Sequence, residues 1–129
     1  MQIFDTLKKT EYKTSIALGF FDGVHLGHQD VIKMAINNSG EHCKSAVLTF
    51  KESPSTTLKK ADKPMLNTNE EKFTLFERLG VDLVYCIDFE EIRHLSAEDF
   101  IKIVLCDTLN AKFASVGFNY HFGQGGTAT

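Results

Sequence analysis

The amino-acid sequence predicts a single α/β domain, a parallel sheet with helices flanking it. Three observations lead there. Apolar segments of strand length recur at residues 15–18, 45–50, 83–87 and 113–117. Between them lie stretches with apolar residues at helical spacing, so strands alternate with helices as in right-handed β-α-β units. The segment 45–50 is apolar nearly throughout, as suits a parallel strand covered on both faces. With 129 residues the chain has room for one core and not for two ordinary domains.

Residues 1–13 are mixed and polar, with Phe4 and Leu7 as candidate packing contacts, and are expected as a lead-in beside the first strand. That strand is Ser15-Ile16-Ala17-Leu18. A glycine-rich turn follows, with Gly19, Gly23 and Gly27 set among Asp22, His25 and His28, and leads into a helix with apolar Val31, Ile32, Met34, Ala35 and Ile36. Asn37-Asn38-Ser39-Gly40 should end that helix. The second strand, 45–50, gives way to a polar stretch from Lys51 to about Asn67, long enough to be functional rather than a mere connector. Thr68-Asn69-Glu70-Glu71 forms a capping box for a second helix. Phe73, Phe76 and Leu79 share a face of that helix, and Gly80 stops it. Leu83-Val84-Tyr85-Cys86-Ile87 is the third strand, followed by acidic Asp88, Glu90 and Glu91, read as a solvated face. Ser96 caps a third helix that should carry Phe100, Ile101, Val104, Leu105 and Leu109 inward. Residues 113–117 make the fourth strand, and a glycine-rich aromatic tail follows, Gly117 to Gly126. No helix closes that last unit, so the chain is expected to be a portion of a larger protein.

Bulk properties narrow the function. Hydrophobic content of 43% and charged content of 24% are those of a soluble globular chain, and the formal charge of −3 gives no broad electrostatic case for nucleic acid. No apolar run approaches the roughly 20 residues needed to cross a bilayer. The N-terminus lacks the basic and apolar regions of a signal peptide. Of the three cysteines, Cys86 and Cys106 sit within apolar segments, which suits reduced core thiols in a cytoplasmic protein.

In parallel sheets ligands bind outside the carboxyl ends of the strands. That rule gathers the first glycine-rich turn, the stretch after Phe50, the acidic segment after Ile87 and the tail after Gly117 on one edge. The turn places a helix N-terminus beside a strand end, where free N–H groups and the helix dipole favour an anion, and glycines permit close approach of a phosphate. His25 and His28 could donate to a polyphosphate and stabilise charge building at its α-phosphorus. They could instead be surface or capping residues, or ligate zinc with further partners. The phosphate reading also accounts for the glycines around them. Asp22 could orient a histidine, hold magnesium through water, or cap the turn. Asn119, Tyr120 and Phe122 could stack on and hydrogen-bond a planar ring system, or alternate along a strand edge.

The run Gly19-Phe20-Phe21-Asp22-Gly23-Val24-His25-Leu26-Gly27-His28-Gln29 resembles the signature of the adenylyltransferase module of prokaryotic bifunctional FAD synthetases, which pair riboflavin kinase with FMN adenylyltransferase. Its His-x-Gly-His core is common to the wider nucleotidyltransferase superfamily, whereas the full run is far more specific. The resemblance continues through Leu48-Thr49-Phe50 with Pro54, Leu66-Asn67-Thr68 with Glu71-Lys72, Gly80-Val81-Asp82, residues 96–100, and Val116 to Gly123. It implies a Rossmann-like nucleotidyltransferase fold and transfer of AMP from magnesium-bound ATP to the phosphate of FMN, giving FAD and pyrophosphate. It implies His25 and His28 as catalytic residues. Gly19, Phe20, Asp22, Gly23, His25, Gly27 and His28 would form the ATP site, and Phe50, Pro54, Asn119, Tyr120 and Phe122 the flavin site. No protein-held metal, nucleic-acid partner or membrane partner is implied. Two departures stand out. Many members carry Pro-His-Pro after Thr-Phe, where Glu52-Ser53-Pro54 stands here. The family's later Ser-Ser/Thr-x-Ile-Arg motif would fall beyond Thr129. Residues 1–129 are thus expected to be an FMN adenylyltransferase domain cut short at its C-terminus and lacking the riboflavin kinase domain. The alternatives are another nucleotidyltransferase, or a nucleotide- or flavin-binding module without catalysis.

Overall fold

A computed structural model describes residues 1–19, 21, 26–40, 42–51 and 69–116. Its centre is a five-stranded, wholly parallel sheet of β1 (Gln2–Phe4), β2 (Lys13–Leu18), β3 (Cys43–Phe50), β4 (Leu83–Ile87) and β5 (Ala111–Val116), in the order β1-β4-β3-β2-β5. Among the described residues three helices flank it: α1 (Leu26–Asn37), α2 (Asn69–Leu79), and α3, which starts at Ala97–Asp99 and runs on through the wider-wound segment Phe100–Thr108. The expected α/β fold with a parallel sheet is the one observed.

Strands β2, β3 and β4 are apolar on both faces because both faces are covered. On one side Ile16, Leu18, Ala46, Leu48, Phe50, Leu83, Tyr85 and Ile87 pack against Phe100, Val104, Leu105 and Leu109 of the α3 region. On the other, Ala17, Val47, Val84 and Cys86 meet Ile32 and Ala35 of α1 and Phe76 of α2. The period-two alternation of a strand sends neighbouring residues to these two cores.

The helix ends follow their local chemistry. Gly80 adopts φ +98°, its N–H reaches Glu77 O (3.1 Å) and Val81 N–H reaches Phe76 O (3.0 Å), a Schellman arrangement sealed by contact between buried Val81 and Phe76. Glu70 and Glu71 occupy the first turn of α2 and Arg78 the last, each favoured by the helix dipole. Ser96 Oγ accepts from Asp99 N–H (3.1 Å), as its capping role requires. Of the capping box expected at 68–71, Thr68 lies outside the described residues.

Three expectations need correction. The N-terminal segment does not lie beside the first predicted strand. It forms a fifth strand, β1, at the far edge of the sheet, where Gln2–Phe4 pair with residues 83–85 and Phe4 stacks on Tyr85 at 5.0 Å. Ile101 does not face the core: it is 45% exposed. Leu109 N–H bonds Val104 O, five residues back, so the helix takes more than four residues per turn and its buried stripe runs through Phe100, Val104, Leu105 and Leu109. Cys106 lies on the outer side of the same stretch and is exposed, while Cys86 is buried as expected.

Candidate functional site

The strand order sets where a ligand would sit. From β2 the chain moves through β3 to β4 on one side, then returns through α3 to place β5 on the other side of β2. The direction of winding therefore reverses between β2 and β5, and the crevice outside their carboxyl ends is the topological switch point. The glycine-rich run joins the end of β2 to the start of α1 at this place, and the tail motif leaves the end of β5 beside it.

Gly19 directly follows β2, and its N–H donates to Leu48 O (3.2 Å), which ties the turn to β3. It has a further role that spacing alone does not reveal. Phe21 folds back with φ +61°, an uncommon conformation for an aromatic residue, and buries its ring against Phe76 (centroids 5.9 Å, 81° between planes). A Cβ on Gly19 would lie 3.0 Å from Phe21 Cζ. Phe21 thus anchors the turn in the core, and Gly19 makes room for the anchor. Such strained aromatic conformations persist only where the surroundings enforce them.

Gly27 and His28 fall in the first turn of α1, which starts at Leu26. The helix is fastened to the sheet by two hydroxyls. Ser15 Oγ on β2 donates to Ala35 O (2.5 Å), and Ser115 Oγ on β5 donates to Val31 O (2.8 Å). Around Ala35, Asn38 N–H and Nδ2 both donate to Met34 O, and Ser39 N–H and Oγ to Ile36 O, so the carbonyls of residues 34–36 near the end of the helix are met.

Phe50 ends β3. Its ring is fully buried, edge-to-face with Phe89 at 5.2 Å, so that side chain belongs to the core of the sheet edge. The backbone beside it is held by α2: Lys72 Nζ donates to Phe50 O (3.2 Å) and Asn69 Nδ2 to Lys51 O (3.3 Å), while Lys51 N–H pairs with Ile87 O (2.9 Å). Lys72 is fully buried, which sequence reasoning missed; a lysine in a polar helical turn reads as a surface charge, and the Phe50 carbonyl at the strand end is a partner that helps make burial tolerable. The ammonium groups of Lys72 and Lys51 act on the Cys86 thiol nearby. Burial dominates there and pushes the thiol above its ordinary value, with the two cations opposing.

The acidic segment after Ile87 is structural. Asp88 caps a short 3-10 turn, Phe89–Glu91, by accepting from Glu90 N–H. Glu91 accepts from Thr6 Oγ1 (2.7 Å) and Leu7 N–H (3.2 Å), and Glu90 pairs with Arg93 at the surface (2.8 Å). Among the described residues no three His, Cys, Asp or Glu side chains gather at one point, and no helix is long and apolar enough to cross a membrane. Phe20, Asp22, Gly23, His25, Pro54, Asn119, Tyr120 and Phe122 lie outside the described residues. The structure thus brings Gly19, the first turn of α1 and the ends of β3 and β5 to one edge.

Two known proteins similar to this chain share one description. The bifunctional riboflavin kinase/FMN adenylyltransferase of Listeria monocytogenes is 39% identical over 121 residues, covering 91% of this chain and 38% of the relative. That of Bacillus subtilis is 37% identical over 127 residues, covering 95% of this chain and 40% of the relative. The chain therefore spans about two fifths of the length of the curated relatives it matches. Among solved structures, the crystal structure of a macrolide-efflux protein from Streptococcus pneumoniae superposes with a TM-score of 0.80 at 29% identity, over 95% of this chain and 51% of that one. The family model for FAD synthetase matches residues 7–129, nearly all of this sequence. The chain belongs to the FAD synthetase family.

Proposed function

We propose that residues 1–129 act as an FMN adenylyltransferase domain, transferring AMP from ATP to the phosphate of FMN with release of pyrophosphate. The observation that carries the reading is the position of the Gly19–Gln29 run. The run, read as phosphate-binding, joins the interior strand β2 to helix α1 at the switch point of a doubly wound sheet. In this reading an FMN phosphate oxygen attacks the α-phosphorus of ATP in line. The new P–O bond forms as the bond to pyrophosphate breaks, with no covalent enzyme intermediate. His25 and His28 donate to the ATP phosphates and stabilise the charge that builds during displacement. Gly19, Phe20, Asp22, Gly23 and Gly27 line the nucleotide. Asn119, Tyr120, Phe122, Pro54 and the end of β3 at Phe50 border the flavin. Magnesium arrives with ATP, held by the phosphate oxygens, as is usual for this ion. In this reading the domain acts in the cytoplasm on two small-molecule substrates, ATP and FMN.

The test is chromatographic. The chain incubated with FMN and magnesium-ATP should yield FAD and pyrophosphate above a protein-free control. His28→Ala should reduce turnover by about 10²–10³-fold, the usual cost of removing one donor to a developing charge. Unchanged turnover in that variant would remove His28 from the mechanism. Folded protein that binds ATP yet forms no FAD would leave a binding module in place of an enzyme.

A further inference from the structure

The two hydroxyls that fasten α1 do different jobs. Ala35 is among the last three residues of the helix, where carbonyls lack an intrahelical donor, so the bond from Ser15 meets a need of the helix itself. Val31 is in the helix interior, where the α-helical ladder already supplies its carbonyl with a donor four residues on. The bond from Ser115 is therefore surplus to the helix. Its effect is positional.

That position matters because of what lies at either end of the bond. Val31 is one helical turn beyond Gly27 and His28. Ser115 is the penultimate residue of β5, opposite Ala17 of β2 and immediately before the tail motif that starts at Gly117. Apolar packing of Ile32 and Ala35 on the sheet is non-directional and does not by itself fix where along its axis the helix rests. Directed bonds do fix it, and of the two hydroxyl bonds that hold α1 the 2.8 Å bond from Ser115 is the one nearer His28 and the one that joins the strand on one side of the switch point to the helix rising from the other. Resting on the proposed nucleotidyl transfer, we infer that Ser115 is a positioning residue: it sets the axial position of α1 and so holds His28 in register with the end of β5.

The test uses Ser115→Ala, Ser115→Thr, His28→Ala and the double variant Ser115→Ala/His28→Ala, each checked for folding by circular dichroism. Two readouts are taken: kcat and KM for FAD formation, and the His28 imidazole and α1 amide resonances by NMR. Ser115→Ala should lower kcat about ten-fold with KM for FMN little changed, since small misplacements of a charge-stabilising group weaken the transition state more than the ground state. Ser115→Thr, which keeps the hydroxyl on a strand-favouring residue, should restore it. In the His28→Ala background the serine substitution should change turnover by less than about two-fold, because its effect passes through that histidine. Resonances of His28 and the first turn of α1 should move in Ser115→Ala and return in Ser115→Thr. Wild-type kcat in Ser115→Ala, an undiminished effect without His28, or unmoved resonances would each overturn the inference. Moved resonances in a chain that forms no FAD would refute the proposed reaction and leave the positional role standing.

Discussion

Replacing Gly19 with alanine offers a direct check on how the glycine-rich turn is built. The added Cβ would stand 3.0 Å from Cζ, 3.2 Å from Cε2 and 3.3 Å from Cε1 of Phe21, closer than ordinary van der Waals contact at all three atoms. Rotating the ring about its own axis gives no relief, since Cζ lies on that axis. Swinging it about χ1 is opposed by Phe76, and the backbone at Phe21 already sits at φ +61°. Overpacking of this kind costs about 1–3 kcal/mol. Against it stands a gain of about 0.4–1 kcal/mol from the lower unfolded-state entropy of alanine. The net expectation is a loss of about 1–2 kcal/mol. In urea, with a slope of about 1–3 kcal/mol/M for a domain of this size, the midpoint should fall by about 1 M at unchanged slope. The decisive arm is Phe21→Leu, whose shorter side chain has no Cζ. In that background Gly19→Ala should be neutral or slightly stabilising. An unchanged midpoint in the single variant, or the same loss in both backgrounds, would refute the anchor argument.

Two other perturbations probe the edge around β3. Lys72→Met keeps the volume of the buried stem and removes the donor to Phe50 O, so unfolding free energy should drop by about 1–3 kcal/mol, measured by denaturant titration. A neutral result would mean that the ammonium is dispensable at the strand end. The thiol of Cys86 and the phenol of Tyr85 are both raised in the folded chain, chiefly by burial, with Lys72 and Lys51 opposing at the thiol and a hydrogen bond with Thr10 opposing at the phenol. For such groups the unfolded chain releases its proton first. Their contribution is complete below the unfolded values of about 9 and 10, and it is lost as pH rises toward the folded ones. Stability should accordingly decline above about pH 9, and less steeply in Cys86→Ala; an identical alkaline profile in that variant would count against the buried thiol as a contributor.

Most of the architecture was legible because parallel strands covered on both faces leave continuous apolar runs, as at 45–50 and 83–87. Strand β1 was not, since its three residues are exposed or half-buried and leave no such run. The facing of Ile101 depended on how tightly α3 winds, which follows from hydrogen bonding rather than from apolar spacing. The junction from β2 to α1 could be read from Gly19, Gly27 and His28 because a glycine-rich turn between strand and helix carries its geometry with it. The supports of that place could not. Phe21, Lys72 and Ser115 act through contacts with Phe76, Phe50 and Val31, partners 22 to 84 residues away in sequence where hydrogen bonds join them.

The sheet order also bears on how the molecule assembles. Strand β2, α1 and β3 are neighbours in sequence and can associate early, whereas β5 reaches β2 only by closing a long loop: Thr14 Oγ1 bonds Leu109 O across 95 residues. Long-range parallel pairing of this kind is slow to form. During synthesis the helix carrying His28 would be in place well before the strand that completes the crevice. A chain stalled or unravelled at β5 would keep much of its core while losing one side of the switch-point crevice, so ATP capture, if the proposed function holds, would report the last step of folding rather than the bulk of it.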